Sequence, residues 1–442
     1  MRTLLRTLAL LAAVSLIVAV GFVIYDYFQA QGNFPYETYI GSVDVSGLNQ
    51  SQALEKLREL KASQVFSPLI TIEADQLTFV FPPETAGLGI DHEKSVKEAF
   101  AATHRNGYLK DLKERFQRGP LRLKPVFTLD EGRLASVIEA LAAEINASPR
   151  DATIILYEET GGYNIEPENA GKEVRIKDSI ELFKSRLAQG ERTFPLIIEH
   201  SAPRVTEADL RAQPPVYRLS AFTTYYGTHD SPNRIHNIKL IASWLEGTLL
   251  MSGESFSLAR ALGDITPERG FKEAYTIIGG ELVPSLGGGA CQIATTLYNA
   301  VSLADLKIIQ RRNHSFYFNI YPLGRDATVY PGQLDFKFEN DTGQPILIKA
   351  AATNRRLSFR IYGTPNGKTV KFSSPSVEML AEGRFRPATV KEVLDADNPF
   401  KTTVTRSVFD AGGKLLKSET ISSYYKLYGE KSNVPIARPE PR

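Results

Sequence analysis

Leu286-Gly-Gly-Gly-Ala-Cys291-Gln292-Ile-Ala-Thr-Thr-Leu-Tyr298 runs from three glycines into an apolar, helix-like stretch, and Cys291 at the junction is the single cysteine of 442 residues. One cysteine cannot form an internal disulfide, which leaves packing, intermolecular pairing or thiol chemistry. Outward from this point, residues 221–350 are densely patterned in a way that predicts an α+β domain. Residues 235–245 have helical periodicity, 249–257 reads as a strand ending in the Ser252-Gly-Glu-Ser-Phe256 turn, and 274–283 reads as a hairpin with Gly279-Gly280 at its tip. A helix is expected over 291–304, and strands over 307–311 and 316–321 flank His314.

A helix start favours thiol chemistry at Cys291. Unsatisfied backbone N–H groups in the first turn carry about half a positive charge, which favours a thiolate. Gly287, Gly288 and Gly289 predict a side-chain-free approach by which a substrate carbonyl reaches sulfur and backbone donors, and Gln292 could add an oxyanion donor. The competing reading is a small buried hydrophobe. A nucleophilic thiol needs an imidazole and a group that orients it. Of the six histidines, His229, His236 and His314 lie in this segment. His314 is the preferred base over His236, His229 reads as a turn residue, and Asp326 is the nearest orienting carboxylate. Arg234 and Arg325 are candidate cations for a substrate carboxylate, or else structural ion-pair partners, and His236 is counted with them as a substrate-binding candidate. No spacing of cysteine and histidine fits a metal site, and no cofactor is expected.

The N-terminus sets the compartment. Arg2 and Arg6 precede an uncharged, mainly apolar stretch over 7–25, about 28 Å long as a helix. With basic residues before it and Asp26 after it, the positive-inside rule predicts a single-pass signal anchor in the cell membrane with the bulk of the chain outside the cytoplasm. A cleaved signal peptide is the alternative, although Phe28-Gln29-Ala30 is a poor cleavage site. Lysine and arginine total 52 against 50 acidic residues, a net charge of +2, so no nucleic-acid partner is expected.

Between these regions the chain repeats itself. Adding 84 carries Ala53, Leu54 and Leu57 onto Val137, Ile138 and Leu141, and Pro83-Glu-Thr-Ala86-Gly87 onto Pro167-Glu-Asn-Ala170-Gly171. Two α+β modules are predicted, each with an amphipathic helix, a pair of strands, the glycine turn and a second helix. They read as a scaffold or as polymer-binding units, and His92, His104 and His200 as solvated surface residues. The resulting division is a cytoplasmic tip and transmembrane anchor at 1–28, modules at 36–120 and 121–205, the patterned domain at 216–350, a β-rich extension at 351–430, and a disordered tail at 431–442.

Asn233-Arg-Ile-His-Asn-Ile238, Ser252-Gly-Glu-Ser-Phe-Ser257, Gly287-Gly-Gly-Ala-Cys-Gln292, Thr295-Thr-Leu-Tyr-Asn299, Asn313-His-Ser315, Pro322-Leu-Gly-Arg-Asp-Ala-Thr-Val329 and Leu334-Asp-Phe-Lys-Phe338 together resemble the VanW family over about 130 residues. The repeats resemble the peptidoglycan-binding domains that precede VanW domains. By that resemblance the implied chemistry is a cysteine-dependent L,D-transpeptidase reaction on peptidoglycan stem peptides, with Cys291 as nucleophile and His314 as its histidine. Tyr225-Tyr-Gly-Thr-His229 departs from the family's opening, leaving His229 without a family role. The implied partners are peptidoglycan and cell-wall proteins. The other reading is a non-catalytic wall-binding or assembly protein in which Cys291 is structural.

Overall fold

The computed structural model describes residues 2–105, 107, 108, 110, 113, 119–227, 230–278, 281–396 and 398–426. His229, the Gly279-Gly280 hairpin tip and the tail at 431–442 lie outside them. Helix Arg2–Ala30 carries the apolar segment, and its stretch Arg6–Gln29 is long and apolar enough to cross a membrane. The unburied part is its most apolar window, since Asp26 near its end is 2% exposed and accepts from the Tyr108 hydroxyl at 2.7 Å; by length and composition the helix suits a membrane anchor or a signal peptide alike. The chain divides into two compact units, 1–149 with 170–202 and 150–169 with 203–442.

The first unit has two cores. In one, helices Gln50–Leu57 and His92–Thr103 bury Ala53, Leu57, Val96 and Ala99 with Phe34, Ile40 and Val45. The helix starts are set by side chains: Asn49 and Gln52 form a reciprocal capping box, and Asp91 accepts from the Lys94 N–H at 2.8 Å. In the other core, strand Ile70–Ala74, paired with Leu77–Phe81, buries Ile70 and Ile72 against Leu134, Ile138 and Ala142 of helix Glu131–Ile145 and Phe183 of helix Ile176–Ala188.

The helix, hairpin, strand and helix that end at Thr103 recur in the same order up to Ala188, but the structure does not separate two self-contained modules at residue 121. The first hairpin packs on the helices of the second copy, and the second hairpin, Thr153–Tyr157 with Gly162–Glu166, belongs to the other unit. A lone two-stranded hairpin has an apolar face it cannot bury by itself, and each finds its cover further along the chain.

The matched glycine turns also differ. Pro83–Ala86 is a 3-10 turn ending in Gly87 at φ +80°, where a Cβ would lie 2.5 Å from the Asp130 carbonyl. Gly171 instead lies in strand Gly171–Val174, where a Cβ would collide with Ser201 and Pro149. His92 and His104 are not simply solvated: His92 Nε2 pairs with the Leu60 carbonyl at 3.0 Å, and His104 stacks on Phe100 at 4.0 Å.

In the second unit an antiparallel sheet runs in the order Tyr217–Tyr225, Arg356–Gly363, Ile346–Ala352, Thr248–Leu250. Alternation along Ile346–Ala352 sends Ile346 and Ile348 to one face and Leu347 to the other. The first face meets helices Pro232–Leu245 and Ala290–Leu303, through Ile238, Ile241, Ile293, Leu297 and Val301. Across the second face, Leu347 and Tyr362 meet Ile154, Leu156 and Ile165 of the hairpin and Leu210 of helix Glu207–Ala212. Helix Ala290–Leu303 is buried on nearly every side, as a helix apolar all round must be.

Three expectations need correction. The domain cannot end at 350, because Arg356–Gly363 lies between two strands of its sheet. Residues 249–257 form two short strands, Thr248–Leu250 and Ser255–Ser257. Residues 316–321 form bends and turns rather than a strand, since their aromatic side chains are used around His314 and against the C-terminal sheet. That last sheet pairs Phe400–Phe409 with Thr369–Phe372, Ser376–Ala381 and the long strand Leu415–Tyr425.

Candidate active site

Cys291 is the second residue of helix Ala290–Leu303, whose N-cap is Gly289. Each of the three glycines has a packing reason. Gly287 and Gly289 have φ of +80° and +113°, and a Cβ on Gly287, Gly288 or Gly289 would stand 2.8 Å from Ile265, Ala274 or Ile238 respectively. The run therefore meets the demands of a crowded helix start, and the need for substrate access argued from sequence is not required to explain it. At that start the Ala290 and Gln292 N–H groups donate to the Gly287 and Gly289 carbonyls at 3.2 and 3.0 Å, whereas among the described residues the Cys291 N–H has no backbone acceptor.

The sulfur is half-buried, donates to the Val329 carbonyl at 3.7 Å, and lies close enough to His314 for that side chain to act on its charge. His314 Nδ1 lies 2.6 Å from Asp326 Oδ2, and the His314 backbone N–H donates to the same oxygen at 2.7 Å. With Nδ1 held there, Nε2 is the nitrogen left for the sulfur. The ring is further fixed between Tyr321, stacked at 5.3 Å, and Phe318, edge-on at 5.0 Å. Asp326 is only 3% exposed and takes two more donors on Oδ1, Arg311 Nη2 at 3.2 Å and the Tyr425 hydroxyl at 2.6 Å.

The electrostatics favour a charge-separated pair. Burial pushes the Cys291 thiol up, but the hydrogen bond and charge of His314, with Arg234 beyond, outweigh burial and leave it below its ordinary value. Burial likewise opposes charge on His314, yet hydrogen bonds to Asp326 and Cys291 raise it from 6.5 to about 9. Burial also works against the Asp326 carboxylate, which His314 first and Arg311 next hold below the usual range. All three shifts thus run toward a thiolate beside an imidazolium, backed by a carboxylate.

Other candidates are spent elsewhere. Gln292 is fully buried; its amide donates to Thr224 Oγ1 at 3.0 Å and the Tyr225 carbonyl at 3.3 Å and accepts from Arg234 Nη2 at 2.6 Å, so it ties a helix to a strand and is not free to serve an oxyanion. Arg234 is close enough to act on Cys291 electrostatically, but Asp230, at 3.0 Å, shares its charge. His236 Nε2 pairs with the Gly270 carbonyl at 2.9 Å, in a structural role. The Arg325 guanidinium lies over Phe372 and Phe222, at 4.5 and 5.6 Å, which accounts for it as a packed cation. Among the described residues no cluster of three or more metal-ligating side chains occurs.

Sequence reasoning missed Arg311, Tyr321 and Tyr425. Arg311 sits three residues before His314 and could have been found by asking what neutralises a buried Asp326. Tyr425, 99 residues from Asp326, left no local signal.

Residues 233–362 match the family described as "VanW like protein", and 79–195 match that described as "Putative peptidoglycan binding domain". The chain is 37% identical over 162 residues to "Uncharacterized protein YoaR" of Bacillus subtilis (strain 168), covering 37% of this chain and 53% of that protein. It is 28% identical over 156 residues to "Vancomycin B-type resistance protein VanW" of Enterococcus faecalis (strain ATCC 700802 / V583), covering 34% of this chain and 57% of that protein. The chain thus spans a little over half the length of these curated relatives. No solved structure matches it. The chain carries a VanW domain, at 233–362, preceded by a peptidoglycan-binding-type domain at 79–195.

Proposed function

We propose that this is a cell-wall protein, held at the outer face of the membrane by helix Arg2–Ala30, that performs acyl transfer on peptidoglycan stem peptides as a cysteine L,D-transpeptidase. The observation that carries the reading is the grouping of Cys291, at a helix start, with His314, whose ring is held by Asp326. The Cys291 thiolate attacks the carbonyl carbon of an amide next to a D-amino acid. The resulting oxyanion is held by the Cys291 N–H. The His314 imidazolium gives its proton to the departing amine as the C–N bond breaks, which leaves a thioester and a neutral ring. The amine of a second stem then attacks the thioester, His314 takes that amine's proton, and the sulfur leaves as thiolate with a new amide formed. Arg234 stands near enough to attract a substrate carboxylate. The domain at 79–195 supports a peptidoglycan-binding role in keeping the enzyme on its polymer.

A non-catalytic, wall-binding reading draws on the glycine run and Gln292, both of which packing explains. Incubation of the purified protein with muropeptides separates the two. New 3→3 cross-links or a mass adduct on Cys291, absent in Cys291→Ser, are expected for the enzyme. Unchanged muropeptides with no adduct would leave only the binding role.

A further inference from the structure

We infer that Tyr425 is a positioning residue for the cysteine site and that strand Leu415–Tyr425 is part of the site's construction. This rests on the reading of Cys291 and His314 given above. The two oxygens of the buried Asp326 carboxylate have separate duties: Oδ2 receives both donors of His314, and Oδ1 receives the Tyr425 hydroxyl at 2.6 Å and Arg311 at 3.2 Å. Pinning Oδ1 fixes the rotation of the carboxylate and thereby aims Oδ2 at the imidazole.

Tyr425 is itself fixed. It is 1% exposed, its ring packs on Phe400 at 5.0 Å and Tyr317 at 5.9 Å, and its oxygen accepts the Gly324 N–H at 3.2 Å. Its neighbours in sequence reach the same loop. Arg311 Nη1 donates to Ser423 Oγ at 3.0 Å, Asn313 donates to the Tyr424 carbonyl at 2.8 Å, and the Lys426 N–H donates to the Ser315 carbonyl at 2.7 Å. Four consecutive residues, 423–426, thus hold the segments that carry His314 and Asp326. The sheet behind them is joined to helix Ala290–Leu303 by Arg406, 1% exposed, which donates to the Ser302 carbonyl and pairs with Asp305 and Glu419. The helix that presents the sulfur and the strand that supports its acid are thereby fastened together.

The test is alkylation of Cys291 by iodoacetamide between pH 5 and 10 in the full chain, comparing native, Tyr425→Phe, Ser423→Ala and His314→Ala, with thermal unfolding followed in parallel. Tyr425→Phe keeps the ring contacts and loses only the hydroxyl. Its rate at pH 6 should fall roughly tenfold, the scale of one hydrogen bond to a charged group, and its curve should move to higher pH as the imidazolium loses its aligned acceptor. Ser423→Ala should move the curve in the same direction by less, which keeps the inference testable should Tyr425→Phe fail to fold. Curves for Tyr425→Phe and Ser423→Ala that overlie the native one, while His314→Ala slows the reaction, would overturn the positioning role and leave the cysteine reading intact. A His314→Ala curve that matches the native one would overturn both.

Discussion

Replacing Asp326 by Asn tests whether the carboxylate sets the charge state of the thiol. In the native site His314 rises from 6.5 to about 9, a change that at roughly 1.4 kcal/mol per pH unit is worth about 3 kcal/mol of preference for the imidazolium. Asp326 supplies the largest of the effects that raise it. Asparagine keeps the size of the side chain but removes its charge, and its amide N–H₂ faces the donors of Arg311 and Tyr425 where the Oδ1 acceptor stood. Burial then acts on His314 with only Cys291 left to oppose it, so the ring's preference for the charged form should fall. Without a cation beside it, the half-buried thiol should return toward or above its ordinary value. Loss of that whole preference would correspond to about a hundredfold less thiolate, and Asp326 supplies only part of it. The iodoacetamide rate at pH 6.5 should therefore fall by roughly tenfold or more, up to that limit, and the rise of rate with pH should move up. Mass spectrometry of the Cys291 peptide against time gives the rate, and circular dichroism verifies the fold. A folded Asp326→Asn protein whose pH–rate curve is unchanged would refute the charge argument.

Four other outcomes are expected. The stability difference between the native and His314→Gln proteins should shrink as pH rises. A group whose folded pKa is raised contributes fully below its unfolded value of 6.5 and loses that contribution as pH passes about 9; urea unfolding at pH 6 and 9.5 measures it. Gly289→Ala should cost about 2–5 kcal/mol, combining a left-handed backbone strain with a Cβ pressed on Ile238, and should show as a lowered Tm. Gln292→Ala should destabilise by about 1–3 kcal/mol, because it strands buried partners on Thr224 and Arg234, while changing the alkylation rate of Cys291 by less than the loss of His314 does. Arg406→Met should cost about 1–3 kcal/mol by removing a donor from the Ser302 carbonyl and from Asp305, which keeps Lys368, read by chemical denaturation.

What could be read from the sequence was local. The helices 232–245 and 290–303 and the hairpin 273–286 follow from periodicity, turn residues and the glycine run, which act over a few positions. His314 and Asp326 stood out because the chemistry of a thiol asks for them. Gln292 misled because adjacency in sequence says nothing about which way a helical side chain points: one residue along a helix is about 100° of rotation, enough to take it from the site into the core. Aromatic residues at 316–321 imitate a strand, yet their packing on His314 and Phe400 is a tertiary event. Tyr425 and the placement of the two hairpins arise from pairings between residues far apart in sequence, to which no local pattern is sensitive.

The placement of hairpin Thr153–Tyr157 with Gly162–Glu166 has a consequence for the chain as a thread. Because residues 150–169 belong to the second unit while 1–149 and 170–202 form the first, the backbone passes from one to the other three times. A protease that nicks the chain at 202–203 would sever one crossing and leave a fragment whose hairpin is still embedded in the partner unit through Ile154, Leu156 and Ile165. The two pieces should migrate separately under denaturing electrophoresis and together in a native sizing column.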